Sequence, residues 1–133
     1  HSTEMNPKTN HPVIDIMSTQ RAVTNLGGTM RLGAYPCKLD PDSKVFQLYK
    51  ETMISERHRH RFEFNNDYRK DYNKAGMKTV GIYPNENLVE IVELDNHPWF
   101  VGVQYHPEYK SSVANPHPLF LGFIADMIKA RQK

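Results

Sequence analysis

The stretch NLVEIVELDNHPWFVGVQY, residues 87–105, constrains the fold of this chain most strongly. β-Branched and aromatic residues fill both halves of the stretch, and the turn-forming residues 95–98 separate them. The pattern therefore predicts two strands of one sheet, joined by a turn. The same kind of pattern predicts extended segments elsewhere in the chain, at residues 12–17, 25–39, 56–66 and 77–83.

Helical patterns lie between these strands. Residues 40–51 are typical of a helix with Asp40 as its N-cap, and residues 67–76 are typical of a second helix. A third begins at Pro118 and places one apolar stripe along its length, made of Leu119, Phe120, Phe123, Ile124, Met127 and Ile128. Because strands and helices interleave, the sequence predicts an α/β fold with a mixed sheet flanked by helices.

Length and composition narrow the functions open to the chain. Its 133 residues suit one compact domain over 1–133, and a net charge of +2 does not favour a partner such as nucleic acid. No apolar run is long enough to span a membrane, and the first residues lack a secretion signal. The single cysteine, Cys37, suits the reducing cytoplasm. A start without Met leads us to expect that the chain begins in mid-protein.

The stretch VGVQYHPEY, residues 101–109, ends a predicted strand on His-Pro-Glu. Proline disfavours the helical region for the residue before it, so we expect an extended His106. Residues two apart in an extended chain point the same way, which would place His106 beside Glu108. A carboxylate beside an imidazole is the arrangement of a general base that activates a nucleophile. The alternative is an ordinary exit from a strand into a loop.

A nucleophile for this pair is not evident in the chain. Cys37 lies between a proline and a lysine, whereas a nucleophile on a tight turn needs small residues on both sides. We therefore expect Cys37 to be a packing cysteine and the nucleophile to lie outside these 133 residues.

The basic run at residues 56–66, ERHRHRFEFNN, alternates with period two. One predicted face carries Arg57, Arg59, Arg61 and Glu63, and the other carries His58, His60, Phe62 and Phe64. Two other functions fit such a run, nucleic-acid binding by the arginines and metal binding by the histidines. The small net charge argues against the first. The phenylalanines beside the histidines favour partly buried, hydrogen-bonded rings, so we predict no metal site.

Several motifs together resemble one family. VGVQYHPEY is similar to the end of class I glutamine amidotransferase domains, which use a Cys-His-Glu triad on a flavodoxin-like fold. GGTMRLG at residues 27–33, the basic run and the opening HSTEM resemble, within that class, the glutaminase domain of the CTP synthase family. The chain then corresponds to the C-terminal part of that domain. GMP synthase-like or γ-glutamyl hydrolase-like amidotransferases are the alternatives within the class.

The resemblance implies an activity and partners for the parent protein. Such a parent hydrolyses L-glutamine and passes the ammonia to a synthetase domain, which uses ATP and Mg²⁺ to convert UTP to CTP, with GTP as an allosteric activator. The N-terminal half of the glutaminase domain and the synthetase domain of the same polypeptide would be its partners, in a homo-oligomer. No cofactor is expected in the 133 residues themselves.

The resemblance also implies roles for particular residues. His106 would be the triad base and Glu108 its orienting partner. Arg61 and Glu4 would bind the α-carboxylate and the α-ammonium of glutamine, because a zwitterionic substrate needs one cation and one anion.

The motif GGTMRLG carries no obvious catalytic group, and by itself it indicates a turn followed by a strand. In the family that it resembles, the threonine and arginine of this motif are linked to activation by GTP. That link implies Thr29 and Arg31 as regulatory residues.

Overall fold

The computed structural model of the chain describes residues 1–16 and 30–132. The strands of this part are β1 (Ile14–Ile16), β2 (Arg31–Leu39), β3 (Met53–His60), β4 (Phe62–Phe64), β5 (Met77–Tyr83), β6 (Leu88–Leu94) and β7 (Val101–Val103). The α-helices are α1 (Lys44–Tyr49), α2 (Arg69–Lys74) and α3 (Pro118–Arg131). Two short 3₁₀ turns, Asn66–Tyr68 and Pro107–Lys110, complete the elements.

The strands form two sheets. The larger has the order β3-β2-β5-β6-β7, and the smaller pairs β1 with β4. Every ladder between these strands is antiparallel, with a separate parallel bridge between Ser2 and Ile14. The stretch 87–105 forms β6 and β7, which pair directly as predicted, with Ile91 opposite Val103. Helices pack against the sheets, so the predicted α/β class is confirmed.

The basic run at 56–66 is not one continuous strand. The chain bends at Arg61, so β3 belongs to the larger sheet and β4 to the smaller one. The predicted alternation holds within β3, where Arg57 and Arg59 are exposed and His58 is buried. It fails beyond the bend, because Glu63 is only 3 % exposed and does not share a solvated face with the arginines.

Helix α1 begins later than predicted. Ser43, not Asp40, is its N-cap, and the Ser43 hydroxyl accepts a hydrogen bond from the backbone N–H of Phe46. The Asp40 carboxylate instead accepts from the N–H of Asp42, two residues on, in a turn before the helix. Aspartate favours both settings, so the local sequence did not separate them. The predicted end at Gly76 after α2 is confirmed by its φ of +91°.

The main core lies between the larger sheet, α1 and the start of α3. Its buried members are Cys37, Leu39, Val45, Ile54, Val80, Ile91, Tyr105 and Leu119. Gly122 lets α3 approach closely, because a Cβ at that position would lie 2.6 Å from Leu48 and 2.8 Å from Trp99. The core therefore fixes the segment that runs from β7 through Tyr105 to α3.

The predicted apolar stripe of α3 is buried only at its start. Leu119 is 5 % exposed, but Phe120, Phe123, Ile124, Met127 and Ile128 are 41 to 52 % exposed. The predicted stripe therefore packs against this chain only at Leu119, and no described element covers the other five side chains. None of the helices in the described ranges has the length and apolar character of a membrane span.

Candidate active site

His106 and Glu108 lie within hydrogen-bonding distance, with His106 Nδ1 2.7 Å from Glu108 Oε1. Their side chains are 37 % and 55 % exposed, so both reach solvent at the surface. His106 is extended, as predicted, and lies just beyond β7. Glu108 reaches it for a different reason, because the chain folds into a 3₁₀ turn at Pro107 instead of continuing extended. We call residues 106–110 the His-Pro-Glu turn.

The pair has the electrostatics of a base with its orienting partner. The hydrogen bond from His106 lowers the pKa of the Glu108 carboxyl, which therefore stays ionised. A carboxylate at Nδ1 leaves Nε2 as the nitrogen that takes up a proton. The ring of His106 is further held by stacking on Tyr109, with centroids 4.9 Å apart. This arrangement can accept a proton from a nucleophile placed at Nε2.

Cys37 does not supply that nucleophile. Its side chain is completely buried in β2, and burial raises the pKa of the thiol to about 12. A thiol with such a pKa carries almost no thiolate near neutral pH, and the thiolate is the reactive form. The prediction of a packing cysteine agrees with this position.

Arg61 and Glu4 lie in segments attached to the small sheet, with Arg61 directly before β4 and Glu4 next to the residues bonded to β1. Arg61 lies half-buried at the bend before β4. Glu4 is exposed in the N-terminal segment, which is hydrogen-bonded to β1 through Thr3. Because β1 pairs with β4, and Ile16 lies opposite Phe62, the small sheet brings the N-terminal segment and the Arg61 bend to one region. Their roles toward a substrate stay predictions.

Of the two residues predicted for GTP activation, the structure describes only Arg31. Thr29 lies outside the described residues. Arg31 is 5 % exposed, and its Nη1 lies 3.1 Å from Glu63 Oε1 and 2.5 Å from Glu90 Oε1. The rings of Tyr35 and Tyr83 cover the guanidinium at 4.4 and 4.8 Å. Arg31 is thus a buried structural cation, not a group presented to solvent.

We call Arg31, Glu63, Glu90, His58 and His60 the Arg31 cluster. The histidines hydrogen-bond each other, with His58 Nδ1 2.8 Å from His60 Nε2, and His58 Nδ1 lies 3.5 Å from Glu90 Oε2. Burial, helped by the charge of Arg31, lowers the pKa of His58 to about 3 and that of His60 to about 4. Burial raises the pKa of Glu63 to about 7, although Arg31 opposes the shift.

The same histidines and Glu90 place their ligand atoms within 4.8 Å of one another, close enough to consider a metal ion. Glu90 is already engaged by the guanidinium of Arg31, and the two rings already share a hydrogen bond. These contacts favour a hydrogen-bonded polar cluster, as the sequence predicted for the rings. The sequence did not predict Glu63 and Glu90 as members, although Glu90 stands in the apolar run LVEIVEL as a signal of burial.

Comparison with known proteins identifies the protein family of this chain. The model of the family described as "Glutamine amidotransferase class-I" matches residues 8–125. This chain belongs to the class-I glutamine amidotransferase family.

Its relatives narrow the class further. The chain is 56 % identical over 133 residues to a CTP synthase of Flavobacterium johnsoniae, covering all of this chain and 25 % of that protein. It is 63 % identical over 124 residues to a CTP synthase of Bacteroides fragilis, covering 93 % of this chain and 23 % of that protein. The chain thus spans about a quarter of the length of the curated relatives it matches.

A solved structure matches the fold. It is described as the glutaminase domain of Trypanosoma brucei CTPS with bound acivicin. The TM-score is 0.88 at 34 % sequence identity, and the match covers 97 % of this chain and 50 % of that one. The similarity therefore extends over nearly all of this chain and over half of that glutaminase domain.

Proposed function

We propose that this chain is the base-bearing part of the glutaminase domain of a CTP synthase. Within the longer polypeptide it would hydrolyse L-glutamine to glutamate and supply ammonia for the ATP-dependent amination of UTP to CTP. The observation that carries the proposal is the 2.7 Å contact between His106 Nδ1 and Glu108 Oε1. High identity to named CTP synthases over the whole chain supports the choice within the family.

The chemistry assigns His106 two proton transfers. Its Nε2 takes the proton of a cysteine thiol supplied by the rest of the domain, and the thiolate attacks the side-chain amide carbon of glutamine. His106 then gives the proton to the departing nitrogen, which leaves as ammonia. A water molecule, deprotonated by His106, cleaves the thioester and releases glutamate. Glu108 stabilises the imidazolium in each step.

The substrate's charges assign the roles of Arg61 and Glu4. The planar guanidinium of Arg61 can bind the α-carboxylate of glutamine through two parallel hydrogen bonds. The Glu4 carboxylate provides the opposite charge for the α-ammonium. Support comes from the small sheet, which joins the segment carrying Glu4 to the bend carrying Arg61.

We also propose that regulation by GTP reaches the site through Thr29 and Arg31. The burial of Arg31 between two carboxylates supports an effect on the arrangement of β2, β4 and β6, and not a direct contact of the guanidinium with the nucleotide.

ATP and Mg²⁺ belong, in this proposal, to the synthetase domain. The compartment is the cytoplasm, and the parent is a homo-oligomer.

The exposed stripe on α3 supports the proposal that more of the domain packs here. Five large apolar side chains, Phe120, Phe123, Ile124, Met127 and Ile128, are each at least 41 % exposed. An apolar patch of this kind typically marks an interface. Since the similar glutaminase domain is twice as long as the part matched, its other half is the natural occupant. Residues 1–133 alone should then not hydrolyse glutamine.

The test is His106→Ala in the full-length polypeptide. Loss of the base should lower glutamine-dependent CTP formation by about 10²- to 10⁴-fold, while ammonia-dependent formation persists because it needs no glutaminase chemistry. His97→Ala is the matched control, since His97 is also an exposed histidine in a loop next to β7. Glutamine-dependent synthesis at the wild-type rate in His106→Ala would contradict the proposal.

A further inference from the structure

The His-Pro-Glu turn is fastened to strand β3 at both ends. At its start, the backbone N–H of His106 donates to the carbonyl of Arg57 over 2.9 Å. At its end, Lys110 Nζ donates to the carbonyl of Ser55 over 2.6 Å. The residue between these two carbonyls is Glu56, whose side chain points to the opposite, buried face of β3 and is 1 % exposed. A buried carboxylate therefore lies directly behind the attachment points of the turn.

Glu56 is the centre of a polar cluster inside the core, which we call the Glu56 cluster. Its Oε1 lies 3.1 Å from the hydroxyl of Tyr49 and 3.1 Å from His117 Nε2. The Tyr49 hydroxyl also lies 3.0 Å from the hydroxyl of Tyr105. The four residues come from α1, β3, the segment after β7 and the N-cap of α3. The carboxylate thus joins α1 and the N-cap of α3 to β3 directly, and it joins the segment after β7 through Tyr49.

Three hydrogen bonds of the Glu56 cluster can be given a direction, and the Tyr49 hydroxyl also lies 3.1 Å from His117 Nε2. His117 Nδ1 accepts from the backbone N–H of Leu119, so a neutral His117 carries its proton on Nε2 and donates it to Glu56. Burial raises the pKa of both tyrosines, which therefore keep their protons. Tyr49 donates to the carboxylate, which leaves its oxygen to accept from Tyr105. Tyr49 and His117 thus donate to Glu56, and Tyr105 is linked to Glu56 through Tyr49.

The Glu56 cluster is connected to the proposed base, His106, by the peptide bond that follows Tyr105. Tyr105 immediately precedes His106, is 3 % exposed, and is held by its ring in the core and by its hydroxyl on Tyr49. The orientation of the Tyr105 backbone sets where the next residue begins. Lys110, at the other end of the turn, has its Nζ 3.8 Å from Glu56 Oε1. Glu56 thus acts on both ends of the turn without touching the reacting atoms.

We propose that Glu56 is a positioning residue for glutamine hydrolysis, acting through Tyr49 and Tyr105 on the placement of His106. The proposal rests on the function proposed above. A misplacement of about 1 Å at a reacting group costs on the order of 10²-fold in rate. Loss of the cluster should therefore reduce kcat, while the KM for glutamine changes little because Arg61 and Glu4 are not members.

The experiment uses the full-length polypeptide with Glu56→Gln and Tyr105→Phe. Tyr105→Phe keeps the ring in the core and removes only the hydroxyl, so it remains informative if Glu56→Gln does not fold. We expect each to lower kcat for glutamine-dependent CTP formation by about 10-fold or more, in line with the cost of misplacement. The KM for glutamine should stay within about twofold, and ammonia-dependent CTP formation should be unchanged.

Tyr72→Phe is the matched control, because Tyr72 is a half-buried tyrosine in the separate cluster with Phe64. An unchanged kcat in both Glu56→Gln and Tyr105→Phe would overturn the inference. An equal fall in the ammonia-dependent and glutamine-dependent reactions would also overturn it, since that result indicates general damage. His106→Ala in the same assay separates the two proposals, because its full glutamine-dependent activity would reject the proposed function itself.

Discussion

Two groups of charged side chains in this chain differ in their exposure to solvent. The pair His106 and Glu108 is two residues apart in sequence and at the surface, with side chains 37 % and 55 % exposed. Arg31, Glu63 and Glu90 lie on three different strands, up to 59 residues apart, and their side chains are at most 6 % exposed. The first group is open to a substrate, and the second is closed to it.

The difference in solvent exposure indicates which group serves catalysis and which serves stability. A charge pair in contact with water gains little free energy of folding, but its protons can exchange with a reacting group. A buried ion pair cannot lose one partner without leaving an uncompensated charge in the interior. We therefore expect substitutions in the Arg31 cluster to change folding, and substitutions in the His-Pro-Glu turn to change catalysis. Three predictions follow this contrast, from the largest effect on unfolding to the smallest.

Arg31→Met should destabilise the domain most. It removes the cation from between Glu63 and Glu90, and breaking a buried pair in this way costs roughly 3–5 kcal/mol. The measurement is the free energy of unfolding of the whole glutaminase domain in urea. Arg59→Met is the control, because Arg59 is an exposed arginine on the neighbouring strand β3 and should change the value by less than about 0.5 kcal/mol. Equal effects of the two substitutions would remove the contrast.

The second prediction concerns pH. Burial lowers the pKa of His58 and His60 from 6.5 to about 3 and about 4, so the unfolded chain binds more protons than the native one in that range. Their contribution to stability is complete above pH 6.5 and is lost as the pH falls. Glu63 acts in the opposite sense, because its pKa is raised from 4.5 to about 7 and the native state binds the extra proton. Burial also raises the pKa of Glu90, so Glu90 changes stability with pH in the same direction as Glu63.

Glu63→Gln should therefore make the loss of stability on acidification steeper. Between pH 6.5 and 4.5 the native Glu63 binds a proton that the unfolded chain does not, and this offsets the effect of the histidines. The substitution removes that proton, which changes the slope by about 1.4 kcal/mol per pH unit. The free energy of unfolding of the domain, measured across this range, gives the slope. Glu51→Gln, a change at an exposed carboxylate, should leave the slope as in the wild type. An unchanged slope in Glu63→Gln would show that the native carboxyl takes up no extra proton in this range.

The smallest effect on unfolding is expected for Glu108→Gln. The side chain is exposed, so the midpoint of urea unfolding should not move. The rate of glutamine hydrolysis in the full-length polypeptide should nevertheless fall by about 10²-fold or more, because an amide cannot stabilise the imidazolium of His106. A shifted unfolding midpoint with unchanged hydrolysis would reverse the roles assigned to the two groups.

The local features were predicted with most success. The proline after His106, the turn at residues 95–98 and the glycine after α2 each act within a few residues, and each left a signal in the sequence. The start of α1 was predicted wrongly because Asp40 and Ser43 both suit an N-cap, and the choice depends on how the chain leaves β2. Boundaries of this kind are set by packing as well as by propensity.

The order of residues alone predicts the alternation of strands and helices, the pair His106 and Glu108, and the motifs of the family. Three features are visible only in the folded chain: Arg31 is buried between Glu63 and Glu90, Glu56 joins Tyr49 to His117, and the stripe of α3 is left exposed. The two sets of features differ in the range of the interactions that produce them. Backbone preferences act between neighbouring residues, whereas the cost of burying a charge depends on partners that the sheet brings from distant strands.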